Sequence, residues 1–427
     1  MSEFHQQATQ LVGHNTDALP WLNALREDGA KQWQNTQWPT RKTELWKYTP
    51  VQALERMELS PRGQLSHSLD SIPNGIEIDA YRLVFVDGCF SAALSSSNCP
   101  SLTLFSDADT TQKTLIEAKL GTVLNTKRHM FAALNNAWVE EGVLLSVPKN
   151  TQLDKPVYLV HVSTGEANQT SSNHRVLVVL EDGSQAQLIE HFVSTADNAS
   201  GFVNSLCEIE VGNNASLKHY RINLESEGLV HIGGTHIDLL RSARYNGFTI
   251  AEGSVLKRID YHMNHRGEGA DLILNGVYLP RNKQVVDYHT NIEHCVPHCT
   301  SNEVFRGIIG DSARAVFNGR ILIHQDAQKT LAEMNNRNLL TSNKAEVDTK
   351  PELEIYADDV KCAHGATIAE LDETAMFYLR SRGLTENQAR TLLSFGFINE
   401  LLLEISQEPV RDYLVKHVTS VLEVEAL

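Results

Sequence analysis

Between residues 182 and 345 the chain returns repeatedly to one local pattern: a turn cluster, then alanine, then an apolar strand-like run. The instances are Asp182-Gly-Ser-Gln-Ala186, Gly212-Asn-Asn-Ala215, Arg241-Ser-Ala243, Gly267-Glu-Gly-Ala270, Gly310-Asp-Ser-Ala313 and Ser342-Asn-Lys-Ala345, with alanine spacings of 29, 28, 27, 43 and 32 residues. A small residue entering each rung at a loosely fixed period predicts a solenoid, in which successive coils bury one another's apolar faces. The same texture is compatible with a β-sandwich with regular turns, so the repeat alone leaves two all-β architectures open.

The repeat is flanked by two stretches of different texture. Residues 1–142 hold all five tryptophans, four of them before residue 50 (Trp21, Trp33, Trp38, Trp46), and prolines 20, 39, 50 and 61 interrupt the Leu-containing stretches. Short helices joined by loops are predicted there. A strand is expected at Tyr81-Arg-Leu-Val-Phe-Val, followed by a helical pattern over 111–141 through Leu115, Leu120, Leu124, Phe131, Leu134 and Trp138. Residues 143–371 form the predicted β core, and 372–427 return to helix. Asp372 is placed to cap a first helix and Gly383 to end it. Thr385-Glu-Asn-Gln388 forms a capping box for a second helix, and Pro409 starts a third. The apolar stripe of this tail suits either a cap on the solenoid end or a partner's surface.

Composition narrows the function. A formal charge of -16 and a pI near 5.6 oppose docking on nucleic acid or anionic lipid. With 41% hydrophobic and 21% charged residues, and no apolar run of the roughly eighteen residues a membrane span needs, a soluble globular protein is expected. The first twenty residues lack the basic start and apolar middle of a signal peptide, which makes the cytoplasm the expected compartment. Six cysteines (Cys89, Cys99, Cys207, Cys295, Cys299, Cys362) are then thiols, ligands or core residues rather than a disulfide framework.

No P-loop, Gly-x-Gly-x-x-Gly, Gly-x-Ser-x-Gly or His-Glu-x-x-His motif occurs. Two tracts carry metal-binding chemistry. His289-Thr-Asn-Ile-Glu-His294-Cys295-Val-Pro-His298-Cys299 places five nitrogen or sulfur donors within eleven residues, a set suited to zinc, copper or iron. On an extended strand only some of these side chains converge, and the competing reading is buried cysteine with ladder-stacked histidine. In Lys361-Cys362-Ala-His364-Gly-Ala-Thr, Cys362 and His364 lie two apart, hence on one face of a strand, and Gly365 would leave room for a close approach.

Four segments together resemble one family: Asp287-Tyr-His-Thr-Asn-Ile-Glu-His294, Arg306-Gly-Ile-Ile-Gly-Asp-Ser-Ala-Arg-Ala-Val-Phe317, Ala345-Glu-Val-Asp-Thr-Lys-Pro351 running on through Thr367, and Phe377-Tyr-Leu-Arg-Ser-Arg-Gly383. They are similar to the SufB/SufD family of iron–sulfur cluster assembly proteins, and Lys-Cys-Ala-His-Gly-Ala-Thr resembles the SufD branch of it, as does Pro39-Thr-Arg-Lys-Thr-Glu-Leu-Trp-Lys-Tyr-Thr-Pro50.

The resemblance implies a right-handed parallel β-helix between helical N- and C-terminal domains. It also implies a non-catalytic subunit in a complex of one SufB, one SufD and two copies of the ABC-type ATPase SufC. Residues 372–427 would dock SufC, and the β-helix ends of SufB and SufD would pair where a transient cluster forms. His364, with Cys362 beside it, matches the histidine facing SufB there, and His294 and Cys299 fit the family's His and Cys positions. A reduced flavin in the complex and a homodimer in the absence of partners are further expectations of the resemblance. Two other classes compete: a β-helix enzyme acting on polysaccharide, and a stand-alone metal-storage or delivery protein built on the His289–Cys299 tract.

Overall fold

The computed structural model describes residues 2–12, 19–59, 69–165, 170–196 and 199–425; Pro61, one of the predicted breaks, lies outside them. From Val143 onward successive strands alternate between two sheets, so each coil adds one strand to each sheet. Among the described residues one sheet has ten strands and the other nine, and every strand-to-strand ladder along the stack from Val143 to Glu370 is parallel. This is a parallel β-solenoid, and the sandwich reading falls. The stack also reaches into the first 142 residues: Tyr81–Val86 pairs in parallel with Val157–Ser163, and Leu102–Leu104 pairs antiparallel with Val143–Val147.

The repeat has a physical basis more general than alanine. Register aligns Ser184, Ala215, Ala243, Ala270, Cys299 and Thr330 in one corner column, each followed by a strand of the ten-stranded sheet. All six are buried. The residue before each has a left-handed backbone: Gly183, Asn214, Ser242, Gly269, His298 and Lys329, with φ from 55° at Asn214 to 72° at Gly183. A left-handed turn followed by a small side chain lets the chain enter the next coil without crowding its neighbours. Ala186 lies two residues further on, aligned with Leu217 rather than with Ala215. The anomalous spacing of 43 has the same explanation: Ala313 and Ala345 belong to the opposite corner, before Arg314–Ile323 and Glu346–Ile355.

The lumen between the sheets is mostly aliphatic and aromatic, with Leu217, Leu272, Tyr261, Phe305 and Phe317 in its core. One charge-bearing group sits within it at a cost. Glu303 is fully buried, and neither of its oxygens has a hydrogen-bond partner of normal geometry. Burial pushes this carboxyl up to about 8, against which the nearby Thr290 hydroxyl pulls only slightly. The folded state therefore holds a proton that the unfolded chain releases near 4.5, and stability falls as pH rises from there through about 8. Glu303→Gln is expected to flatten this decline, which amounts to at most about 1.4 kcal/mol per pH unit. Urea midpoints of both proteins at several pH values across that window check it; parallel profiles would show that Glu303 does not titrate there.

The N-terminal helices Glu3–Gln10, Asn23–Asn35 and Met130–Ala137 cover the outer face of the nine-stranded sheet. Phe4, Trp33, Trp46 and Phe131 pack there on Phe202, Val230, Ile232 and Leu256. The helical pattern predicted over 111–141 is split into Thr110–Lys119 and Met130–Ala137. Gly121 takes a left-handed φ of 84°, and its N–H and that of Val123 donate to the buried Glu208 carboxylate, which draws the intervening segment onto the sheet.

The C-terminal tail forms helices Glu373–Ser381, Glu386–Leu403 and Glu408–Glu425, with Asp372 and the Thr385/Gln388 capping box at the expected starts. Their stripe does not cap the solenoid end. Ile398, Leu401, Leu402, Val410, Leu414 and Val418 lie along the outer face of the ten-stranded sheet, against Val160, Ile189, Ile222, Ile250, Val277 and Ile308. Polar contacts pin them: His417 Nε2 stands 2.6 Å from Glu252 Oε1, and Arg306 donates to the Phe397 carbonyl at 2.7 Å. Among the described residues no helix is long and apolar enough to cross a membrane.

Candidate functional site: the open end of the solenoid

Because the helices lie alongside, the last coil is left uncovered. Glu346–Ile355 and Lys361–Glu370 are the outermost strands of their sheets, each paired on one side only. Unpaired N–H and C=O groups along such an edge form a ready template for another chain.

Cys362 and His364 stand on this terminal strand. Cys362 is aligned with Ala332 and His364 with Met334, both of which belong to the lumen core, so the two side chains share the lumen face, as their spacing predicts. Across the mouth, Val347, Thr349, Pro351 and Leu353 are aligned with the core residues Ala315 and Phe317, with Gly319, and with Ile321. Cys362 is half-buried, and desolvation raises its thiol pKa, offset in part by the Ala332 backbone. His364 is exposed. A Cβ at Gly365 would stand 3.1 Å from Asn335 Nδ2, the tip of a side chain on the coil beneath. The end thus offers a thiol and an imidazole at the rim of an apolar mouth, between two unpaired edges.

The His289–Cys299 tract distributes differently. His294 turns inward, stacks on His265 at 4.1 Å between ring centroids, and places Nε2 2.9 Å from Ser301 Oγ. Burial pushes it down to about 2. Cys299 fills the corner column, its Sγ 3.5 Å from the carbonyls of Gly267 and Pro297. Among the described residues neither belongs to a set of three convergent ligand atoms, so the ladder-stacked histidine and buried cysteine describe them. His289 lies beside Asp287, with Nε2 to Oδ1 2.9 Å, and His298 occupies a left-handed turn position. The ligand set that the tract does supply, Cys295 with Glu293 and His324, was not foreseen: His324 is 29 residues from Cys295 and comes beside it only through coil stacking.

Residues 161–397 match the family described as SUF system FeS cluster assembly, SufBD core domain. The chain belongs to the SufB/SufD family. Its SufBD core match spans the stack from the second coil through most of the second C-terminal helix. Among individual relatives, the iron–sulfur cluster assembly protein SufD of Escherichia coli (strain K12) is 33% identical over 384 residues, covering 89% of this chain and 88% of that protein. An iron–sulfur cluster assembly SufBD family protein of Synechocystis sp. is 32% identical over 379 residues, covering 86% and 84%. SufD of Bacillus subtilis (strain 168) is 31% identical over 300 residues, covering 67% and 65%. Cys362 and His364 lie inside the matched residues, on the strand where the solenoid ends.

Proposed function

We propose that this chain is the non-catalytic SufD-type subunit of a cluster-assembly complex, contributing its open end to a junction with SufB and its helical tail to the ATPase SufC. The observation that carries the reading is the uncovered last coil, which pairs two unsatisfied strand edges with a lumen-facing Cys362 and His364. An edge strand gives a partner main-chain hydrogen bonds, and the mouth gives it an apolar seat. A labile iron or nascent cluster, here cargo rather than a resident group, would then be held between an imidazole of this chain and thiolates of the partner. Co-expression with SufB and SufC, followed by co-purification and iron and sulfide assay, tests this. A chain that enters no complex, or a complex equally loaded without it, would overturn the reading.

The tail supports the second half of the proposal. Helix Glu373–Ser381 has no buried residue, and its Phe377 and Tyr378 are 76% and 55% exposed. Aromatic anchors of this kind dominate interface energetics. Phe377→Glu is expected to weaken SufC capture at least about tenfold while SufB still co-purifies. Retention of both partners at wild-type level would remove this helix from the interface.

A further inference from the structure

At the corner where strand Val285–His294 ends, stacking assembles three different donor groups. Oxygen of Glu293, sulfur of Cys295 and nitrogen of His324 all lie within 4.8 Å of one another. Glu293 and Cys295 flank the inward-turned His294 and so project to the outside. His324 comes from the next coil, its N–H donating to the His294 carbonyl at 3.0 Å.

Each donor is oriented by a partner behind it. Glu293 Oε1 accepts from Asn291 Nδ2 at 3.1 Å, leaving Oε2 facing His324 Nε2 at 3.5 Å. Burial raises the Cys295 thiol pKa, and the Arg266 guanidinium, its Nη1 3.5 Å from Sγ, pulls it back in part. Both nearby guanidiniums are shared with other partners: Arg266 also faces Asp238 at 3.5 Å, and Arg320, 3.7 Å from Glu293, bonds Glu354 and Asn291. Outer partners of this sort fix ligand geometry before an ion arrives. The His324 side chain is 45% exposed, so solvent reaches the site and can supply a further ligand.

We propose that Glu293, Cys295 and His324 form a binding site for one divalent ion of the zinc–ferrous class. One sulfur, one nitrogen and one oxygen donor suit such an ion better than magnesium or calcium, which prefer oxygen alone. The site lies on the side wall one coil below the open end, since Tyr356 of the last coil is the residue aligned above His324. It is distinct from Cys362 and His364 and does not depend on the proposed assembly role. Arg320 links it to that end, donating to Glu354 of the terminal strand and lying 3.7 Å from Glu293.

Anaerobic titration of the purified, reduced full chain with Co²⁺ tests the site through thiolate-to-cobalt absorption. The expected result is a band saturating at about one ion per chain and bleached by Zn²⁺. It should vanish in Cys295→Ser, form at least about tenfold more weakly in His324→Ala, and persist in Cys299→Ser and Cys362→Ser. Should Cys295→Ser fail to fold, Zn²⁺ protection of Cys295 from alkylation in the wild-type chain, mapped by mass spectrometry, replaces it. Absence of the band, its survival in Cys295→Ser, or an unprotected Cys295 would overturn the assignment.

Discussion

Replacing His364 by alanine is expected to leave the complex with SufB and SufC assembled while lowering its iron and sulfide content about tenfold or more, the usual cost of weakening a metal site by one group. The side chain is exposed, so its removal opens no cavity and should not disturb the solenoid. What it removes is the imidazole that stands on the lumen face of the terminal strand, at the edge where the partner would pair. Met334→Leu, one coil beneath in the same column, conserves volume and serves as a control that should retain loading. Iron and sulfide analysis of the purified complexes decides the matter. Unchanged loading in His364→Ala removes the imidazole from the cluster site, and loss of SufB from the preparation reassigns it to subunit pairing.

The second large effect concerns stability. Glu208→Ala is expected to cost roughly 3–5 kcal/mol, the range for breaking a buried ion pair from one side. Glu208 and its partner Arg175 have fully buried side chains. Arg175 also donates to Asn135 Oδ1 at 2.9 Å, while Glu208 accepts the Gly121 N–H at 2.8 Å. The substitution would strand a guanidinium and two backbone donors together. Because all five tryptophans lie at or before Trp138, fluorescence during urea unfolding reports the N-terminal helices and far-ultraviolet dichroism the strands. The fluorescence midpoint should move furthest, with Glu208→Gln in between; an unshifted midpoint would show that this tether carries little.

The solenoid was legible because a steric requirement recurs in every coil, and the alanines were its visible trace. They were an incomplete trace, since the corner demands only a small side chain after a left-handed residue. Cys299 satisfies that as Ala270 does, which is why a corner residue reads in the sequence as a ligand. The break in the 111–141 pattern was hidden for a different reason: its apolar spacing continues past Gly121, where a left-handed turn and bonds to the distant Glu208 hold the chain out of the helix. Cys362 and His364 could be placed on one strand face from their spacing of two. That this strand is the last in its sheet depends on where the tail packs, a tertiary fact. Cys295 stood among the donors of its tract, but its grouping with Glu293 and His324 was beyond reach, because ligands one coil apart carry no local signature.

A stack of coils in which each touches only its neighbours loses stability towards an uncovered terminus. The strand carrying His364 has a neighbour on one side alone, so its hydrogen bonds open at the smallest cost in the stack. A docking chain would then act as a splint, ordering the very segment it recognises. Side chains alternate along an extended chain, so a visitor shifted by one position would turn its donors away from the imidazole. Alignment of two backbones would thereby decide whether the ligands meet at all.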